Sequence, residues 1–299
     1  MERPITTRDG LRLWTETFGS RRDPALLLVM GGSVPGLVWP DELCRLLAAD
    51  GYFVVRYDHR DTGRSGKSDD EYDLSVPASD AAEVIVGLGL GRAHVVGQSF
   101  GGMVAQLLAL DRPELVRSLV LLSSSPDANG DVWQPPRTGL SGPRPPMLER
   151  VARLTASPPC GPEESLAAAV DGWRVLVGPL VPFDRAYWED LVRRVMAHGV
   201  LPDTSGRHLT ALDRTPPLTD RLPALDVPTL VVHGEQDPVF PPDHGEELRR
   251  VIPRARLWRI AGMGHIFPPH WSSTIRDLIV DHLRRSHPSD LATRRVRRT

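Results

Sequence analysis

The sequence has few features of disulfide-bonded, metal-binding or membrane-bound proteins. Its 299 residues include only two cysteines, Cys44 and Cys160, whose separation matches no metal or redox motif. The N-terminal stretch MERPITTRDG has no apolar segment typical of a signal peptide, and the nearby apolar run 25–30 is far too short to cross a bilayer. No His, Cys and carboxylate cluster has metal-site spacing. We therefore expect a cytoplasmic protein with reduced thiols, no membrane contact and no metal.

An excess of charge of either sign is also missing. Lys and Arg number 36 and Asp and Glu 38, a formal net charge of −2, so nothing favours nucleic acid as a partner. Lysine itself is nearly absent, since Lys67 is the only one, which we interpret as codon bias of a GC-rich genome. The length allows one large α/β domain or a domain with a substantial insertion.

Short apolar runs alternate with longer amphipathic stretches over much of the chain. This alternation predicts βαβ units and an α/β fold, with a mostly parallel central sheet and helices on both faces. A hairpin is predicted around Asp9-Gly10, from strands 6–8 and 11–17. The other predicted strands are 25–30, 53–57, 94–96, 118–122, 229–233 and 256–260. The predicted helices are 41–49, 79–88, 100–111, 245–251 and 273–284.

The alternation breaks after Ser125 and resumes near the strand at 229–233. A stretch rich in proline and glycine comes first, and helical patterns follow at 147–155, 163–176 and 185–197. We expect an α/β core formed by 1–125 and 227–288, a helical cap insertion at 126–226, and a disordered basic tail at 289–299.

Three tryptophans lie in the predicted insertion: Trp133, Trp173 and Trp188. Their flat, rigid rings could line a substrate cleft, and we name them as candidate substrate-binding residues. The alternative is that they form the small hydrophobic core of the insertion.

The stretch HVVGQSFGG, residues 94–102, places one serine between a predicted strand and a predicted helix. Strand and helix pass close together at such a turn, which suits glycine at Gly97 and Gly101. The turn exposes the Ser99 hydroxyl beside the N-terminus of the helix, where negative charge is favoured. The context predicts a serine nucleophile, and a serine that only caps the helix is the alternative.

Serine needs a general base, and that base needs an orienting acid. His265 lies in a glycine-containing turn after the last predicted strand, and His59 is its main rival. Asp237 follows the strand 229–233, with Glu235 and Asp127 as alternatives. The order Ser99, Asp237, His265 is the one used by a large class of hydrolases with a serine at a strand-to-helix turn.

Two apparent nucleotide-binding motifs do not fit that function. The stretch 61–68, DTGRSGKS, looks like a phosphate-binding loop but begins with aspartate where glycine is required. Gly87, Gly89 and Gly91 precede a predicted strand, whereas a dinucleotide motif follows one. We therefore expect no cofactor.

The motifs GQSFGG, GEQDPVFP and GMGH, in this order, resemble the α/β-hydrolase superfamily over essentially the whole chain. ALLLVMGG, WPDE, YDHRDTGRS and AHVVG resemble the narrower aclacinomycin methylesterase group, which hydrolyses a methyl ester on anthracycline polyketides. The widespread form D-x-R-G-x-G-x-S has glycine where this chain has Asp61, a departure that fits the narrower group.

The resemblance implies a serine hydrolase whose substrate is a small-molecule ester, specifically a methyl ester on an aromatic polyketide. By matching position, the backbone N–H groups of Gly32 and Phe100 would form the oxyanion hole, with a plain glycine turn as the alternative for Gly32. Three other functions remain open: a general or antibiotic-inactivating carboxylesterase, a cofactor-free haloperoxidase-like perhydrolase, and a non-catalytic ligand-binding receptor on the same fold. Product formation from an activated ester would exclude the receptor.

Overall fold

The structure, a computed structural model, describes residues 1–128, 131, 133–134, 136–199 and 206–287. The predicted tail, 289–299, lies outside the described residues. The strands are β1 Ile5–Thr6, β2 Arg12–Leu13, β3 Thr15–Phe18, β4 Ala25–Val29, β5 Phe53–Tyr57, β6 Ala93–Gln98, β7 Val116–Leu122, β8 Thr229–Gly234 and β9 Ala255–Ile260. The helices are α1 Asp41–Ala49, α2 Ser75–Gly87, α3 Phe100–Asp111, α4 Pro145–Ala156, α5 Pro162–Val177, α6 Arg185–His198, α7 Arg207–Arg214, α8 Pro242–Val251 and α9 Ser272–Ser286.

Seven strands form one twisted, mostly parallel sheet in the order β3-β5-β4-β6-β7-β8-β9. Only β3 runs antiparallel to its neighbour, β5, and β1 and β2 form a separate antiparallel pair. Strand β6 lies at the centre, where Val29 of β4 pairs with Gly97 and Leu122 of β7 pairs with Gln98. The loops after β4, β6, β7, β8 and β9 therefore meet at the carboxyl edge of the sheet, where parallel sheets bind ligands.

The sheet is covered on both faces, which explains why its strands are apolar at consecutive positions. Along β4, Leu27 and Val29 belong to one buried cluster, and Leu26 and Leu28 belong to the other. Helices α2, α3 and α8 pack in the first cluster, whereas α1 and α9 pack in the second. The predicted α/β architecture is therefore confirmed.

In the described part of the segment between β7 and β8, the α-helices are α4 to α7. Helices α5 and α6 contribute Val177 and Leu191 to the cluster that contains α1, whereas α7 contributes Leu212 to the opposite cluster. The sequence patterns predict three of these helices but not α7. That helix has only eight residues and is mostly polar, so its apolar repeat is too short to recognise.

Asp61 shows how this chain replaces the more widespread glycine. Its φ is +67°, a left-handed conformation that glycine adopts without strain and aspartate tolerates better than most residues. Its carboxylate accepts hydrogen bonds from the Ser68 N–H at 2.8 Å and from the Tyr72 hydroxyl at 2.6 Å. These contacts hold the loop in shape and give the aspartate a structural role.

Helix α3 approaches strand β6 and the end of strand β4 so closely that side chains are excluded at both contacts. A Cβ atom on Gly97 would lie 2.3 Å from the carbonyl oxygen of Gly101. A Cβ atom on Gly101 would lie 2.3 Å from the carbonyl oxygens of Val29 and Met30. Both contacts are with backbone, which has little room to move.

Substituting Gly101→Ala should therefore destabilise the protein by about 2 kcal/mol or more, since overpacking of this kind distorts the backbone. Gly142→Ala is the matched control, because a Cβ atom there would have no neighbour within 4 Å. Urea unfolding should show a clearly lower free energy of unfolding for Gly101→Ala and an almost unchanged one for Gly142→Ala. Equal stability of the two variants would contradict the close packing.

A second prediction concerns His282, which is buried on α9 beside Arg256. Burial, assisted by the charge of Arg256, lowers the pKa of His282 to about 4. Between pH 6.5 and pH 4 the unfolded chain takes up a proton here that the folded chain does not, so stability falls as the pH falls. In His282→Phe, the loss of stability with falling pH should be smaller by about 1.4 kcal/mol per pH unit. The free energy of unfolding of both proteins would be measured by urea titration at several pH values. If it fell with pH at the same rate in the two proteins, the prediction would be wrong.

Candidate active site

Ser99 sits at the turn between β6 and α3 in an unusual backbone conformation. Its φ is +55° and its ψ is −124°, which costs about 1–3 kcal/mol for a residue other than glycine. The surroundings hold this conformation in place, since the Ser99 N–H donates to the Leu122 carbonyl at 2.9 Å and the Ser124 hydroxyl donates to the Ser99 carbonyl at 2.9 Å. The result is the strand-to-helix turn that the sequence predicted.

A continuous chain of hydrogen bonds joins Ser99, His265 and Asp237. The Ser99 Oγ lies 2.9 Å from Nε2 of His265. On the other side of the ring, Nδ1 lies 2.8 Å from Oδ2 and 3.0 Å from Oδ1 of Asp237. The three side chains are thus in the geometry of a nucleophile, a base and an orienting acid.

Asp237 is fully buried, yet it is set up to stay ionised. Burial alone would raise the pKa of Asp237, but the adjacent His265 and the backbone N–H of Phe240 outweigh it, so the pKa lies below its usual value. The N–H groups of Val239 and Phe240 both donate to Oδ1, at 2.8 and 2.9 Å. Their donation stabilises the negative charge that faces the imidazole.

The loop that carries His265 is fixed from two directions. The backbone N–H groups of Gly264 and His265 donate to the carbonyls of Val177 and Leu176, at 3.1 and 2.7 Å, so the end of α5 holds this loop. On the other side, Nε2 of Gln98 donates to the His265 carbonyl at 3.0 Å. The residue before the serine therefore helps to place the histidine.

The structure does not bring the rival residues to Ser99. The buried His59 uses Nε2 to bind the Met30 carbonyl at 2.9 Å, and burial lowers its pKa to about 3. Asp127 accepts from the Thr138 N–H at 2.8 Å. Glu235 lies near Arg259, at 3.8 Å.

The loop 30–33, which we call the oxyanion loop, follows β4 and packs against the Ser99 turn. A Cβ atom on Gly32 would lie 3.3 Å from Cβ of Phe100, and one on Gly31 would lie 3.6 Å from Cβ of Ser99. Phe100 is the first residue of α3, so its N–H has no partner within the helix. The two predicted oxyanion donors thus belong to adjacent backbone segments beside Ser99.

A cavity of about 160 Å³ opens beside Ser99. Core residues and residues of the 126–226 segment line it together. The apolar part of its wall is formed by Phe100, Met103, Met147, Leu209, Leu212 and Phe240.

The expectation that three tryptophans line this cavity needs correction. Trp173 stacks on Trp188 with centroids 5.1 Å apart, and Trp188 stacks on Phe183 at 5.9 Å. Trp133 is 54% exposed, and none of the three is among the cavity-lining residues. Trp173 and Trp188 bury their large apolar faces against each other and within the second cluster, which is the alternative that the sequence analysis left open.

Two histidines in the cavity wall, His208 and His244, were not anticipated from the sequence. Each ring has both nitrogens within hydrogen-bond distance of protein atoms: His208 contacts Ser33 and Arg60, and His244 contacts Ser125 and Ser141. Burial lowers the pKa of both imidazoles. His208 lies on the helix that the sequence analysis missed, and His244 directly precedes a predicted helix, so neither stood in a recognisable motif.

Within the described residues, no group of three or more His, Cys, Asp and Glu side chains is placed to bind a metal ion. No helix in the described part of the chain has the length and apolar character needed to span a membrane.

Comparison with known proteins is consistent with this geometry. Residues 24–268 match the family model described as alpha/beta hydrolase fold. The chain is 36% identical over 278 residues to rhodomycin D methylesterase DnrP from Streptomyces peucetius, covering 88% of this chain and 92% of that protein. It is 29% identical over 273 residues to the non-heme chloroperoxidase CPO-A1 from Kitasatospora aureofaciens, covering 87% of this chain and 90% of that protein.

Solved structures share the fold. A hydrolase from Pseudomonas aeruginosa PA01 superposes with a TM-score of 0.72 at 25% identity, covering 94% of this chain and 98% of the other. The esterase EaEST from Exiguobacterium antarcticum superposes with a TM-score of 0.75 at 21% identity, covering 95% of this chain and 100% of the other. At that identity the similarity is one of fold alone. The chain therefore belongs to the alpha/beta hydrolase fold family, and within it resembles the rhodomycin D methylesterases.

Proposed function

We propose that this protein is a serine hydrolase that cleaves carboxylic esters through Ser99, His265 and Asp237 without a cofactor. The observation that carries the proposal is the hydrogen-bond chain from the Ser99 hydroxyl through the His265 ring to the Asp237 carboxylate. Similarity to methylesterases over most of the chain supports the same chemistry.

In the first half-reaction, Nε2 of His265 accepts the Ser99 proton while Oγ attacks the ester carbonyl carbon. The carbonyl oxygen becomes an oxyanion, which the N–H groups of Gly32 and Phe100 stabilise. The C–O bond to the alcohol then breaks. His265 returns its proton to the leaving oxygen, the alcohol departs, and the acyl group stays on Ser99.

In the second half-reaction, His265 accepts a proton from water, whose oxygen attacks the acyl carbon. A second oxyanion forms at the same site and collapses as Ser99 leaves with the proton held by His265. The products are a carboxylic acid and the free enzyme, and a methyl ester yields methanol in the first step. Asp237 orients the imidazole throughout and stabilises its charged form.

We propose a methyl ester on an aromatic polyketide as the substrate, on the strength of the similarity to rhodomycin D methylesterases. The cavity volume of about 160 Å³ is close to the ~150 Å³ of an engineered protein cavity that binds benzene. One aromatic ring therefore fits inside the cavity, whose wall includes Phe100 and Phe240. The rest of a polycyclic substrate would extend past the cavity rim.

We also propose that residues 126–226 act as a cap over a core formed by 1–125 and 227–288. Support comes from the cavity wall, to which this segment contributes Met147, Leu209 and Leu212. On this proposal, changes in the segment alter which ester is accepted and leave the chemistry of Ser99 in place.

A perhydrolase reaction is the second candidate, because relatives include proteins named non-heme chloroperoxidase and bifunctional esterase/perhydrolase. Hydrogen peroxide would replace water as the attacking group on the acyl-enzyme, and a peracid would replace the acid. Comparing peracid and acid formation in the presence of peroxide distinguishes the two activities.

Ser99→Ala should fold normally and lose about 10⁴-fold or more in turnover of an activated ester, because the nucleophile is gone. Ser118→Ala is the matched control: Ser118 is also buried and bonded to a histidine, with Oγ 2.7 Å from Nδ1 of His94. That pair is not in the cavity wall, so the control should keep wild-type turnover. A Ser99→Ala protein with more than a tenth of wild-type turnover would disprove the nucleophile.

Asp237→Asn should lower kcat by roughly 10⁴-fold, because an amide at this position favours the wrong imidazole tautomer. Asp127→Asn provides a control, since Asp127 is equally buried and lies after the neighbouring strand. Circular dichroism would verify that both variants fold. A larger loss of kcat in Asp127→Asn would show that Asp127, after the neighbouring strand, is the orienting acid in place of Asp237.

A further inference from the structure

His208 reaches from α7 to the oxyanion loop, and each of its ring nitrogens has a backbone partner. Nδ1 accepts a hydrogen bond from the Ser33 N–H at 2.8 Å, and Nε2 lies 3.0 Å from the Arg60 carbonyl oxygen. An N–H can only donate and a carbonyl can only accept, so the ring carries its proton on Nε2 and is neutral.

The same ring covers the two backbone segments that carry the proposed oxyanion donors. It stacks on the Phe100 ring with centroids 4.5 Å apart and planes at 8°. Gly32 lies against both side chains, since a Cβ atom there would be 3.5 Å from Cβ of His208 and 3.3 Å from Cβ of Phe100. A larger residue at Gly32 would displace the side chains of His208 and Phe100.

A second histidine holds the other end of the oxyanion loop. Nε2 of His59 donates to the Met30 carbonyl at 2.9 Å, and the Tyr57 hydroxyl lies 3.4 Å from Nδ1. The His59 ring meets the rings of Phe100 and His208 edge-on, at centroid distances of 5.3 and 5.5 Å. The loop is therefore held at Met30 by the core and at Ser33 by α7.

The loop needs such support because its backbone is strained. Ser33 has a φ of +62°, a left-handed conformation that disfavours residues other than glycine by about 1–2 kcal/mol. The hydrogen bond to His208 fixes the direction of the planar peptide between Gly32 and Ser33. The Gly32 N–H belongs to the preceding peptide, which is joined to this one at the Gly32 Cα, so fixing the Ser33 peptide narrows the range of φ and ψ through which the Gly32 N–H can turn.

We infer that His208 is a positioning residue for the oxyanion hole, so that the hole is complete only when α7 is seated on the core. This inference rests on the proposed esterase function. It gives the segment between β7 and β8 a part in the chemical step besides its part in forming the cavity wall. Burial lowers the pKa of His208 to about 4, and the acceptor at Nδ1 therefore persists across neutral and mildly acidic pH.

The test compares His208→Phe with His208→Asn. The phenylalanine keeps an aromatic ring over Phe100 and removes both hydrogen bonds, whereas the asparagine retains an acceptor oxygen near the position of Nδ1. His208→Phe should lower kcat roughly 10- to 100-fold, since a displaced oxyanion donor costs that order of rate, with KM nearly unchanged. His208→Asn should recover part of this loss.

His282→Phe is the control, because His282 is also buried with a pKa lowered to about 4 and lies outside the cavity wall.

Two further measurements separate positioning from a general loss of stability. Affinity for phenylboronic acid, which forms a tetrahedral adduct with a serine nucleophile, should fall in His208→Phe in proportion to kcat and stay unchanged in His282→Phe. Amide hydrogen exchange in 30–38 should become faster in His208→Phe only.

Unchanged kcat in His208→Phe, equal losses in His282→Phe, or unchanged exchange would overturn the inference while leaving the esterase proposal intact. A wild-type protein that hydrolyses no ester would overturn both.

Discussion

The close approach of β6 and α3 is the constraint on which the site depends. Gly97 lets β6 reach the backbone of α3, Gly101 lets α3 reach the end of β4 at Val29 and Met30, and a Cβ atom fits at neither contact. Ser99, between them, is forced to a positive φ, which directs its hydroxyl away from the sheet and leaves the first N–H groups of α3 beside it. The positions of the proposed nucleophile and of the proposed oxyanion donor at Phe100 thus follow from this close packing.

The segment between β7 and β8 is bonded to both remaining parts of the proposed catalytic machinery. Carbonyl groups at the end of α5 accept hydrogen bonds from the loop that carries His265, and His208 of α7 accepts one from the oxyanion loop. Because these contacts are made from the middle of the segment and from its last α-helix, a shift of the whole segment would disturb the proposed base and the proposed oxyanion donors together. On the proposed function, this arrangement couples substrate selection to catalytic geometry.

The core and the proposed triad could be predicted from the sequence because each depends on short-range patterns. Consecutive apolar residues mark strands covered on both faces, and the glycines around Ser99 mark a tight turn. The position of His208 could not be predicted, because its contact with Ser33 joins residues 175 positions apart through a short, mostly polar helix. The surface that the tryptophan rings cover could not be predicted for a related reason. Composition shows that aromatic area is present, but only packing shows which surface it covers.

The chain has ten histidines, and the hydrogen bonds explain why His265 is the proposed base. A general base needs an unprotonated nitrogen that faces the nucleophile and a partner that stabilises the positive charge formed on the ring. His208 and His59 each direct Nε2 at a carbonyl oxygen, which fixes a proton there, and burial lowers the pKa of both rings. His265 alone among these three has a carboxylate on one nitrogen and the Ser99 hydroxyl on the other. The ability of His265 to accept the Ser99 proton therefore depends on Asp237, which orients the ring and stabilises its positive charge.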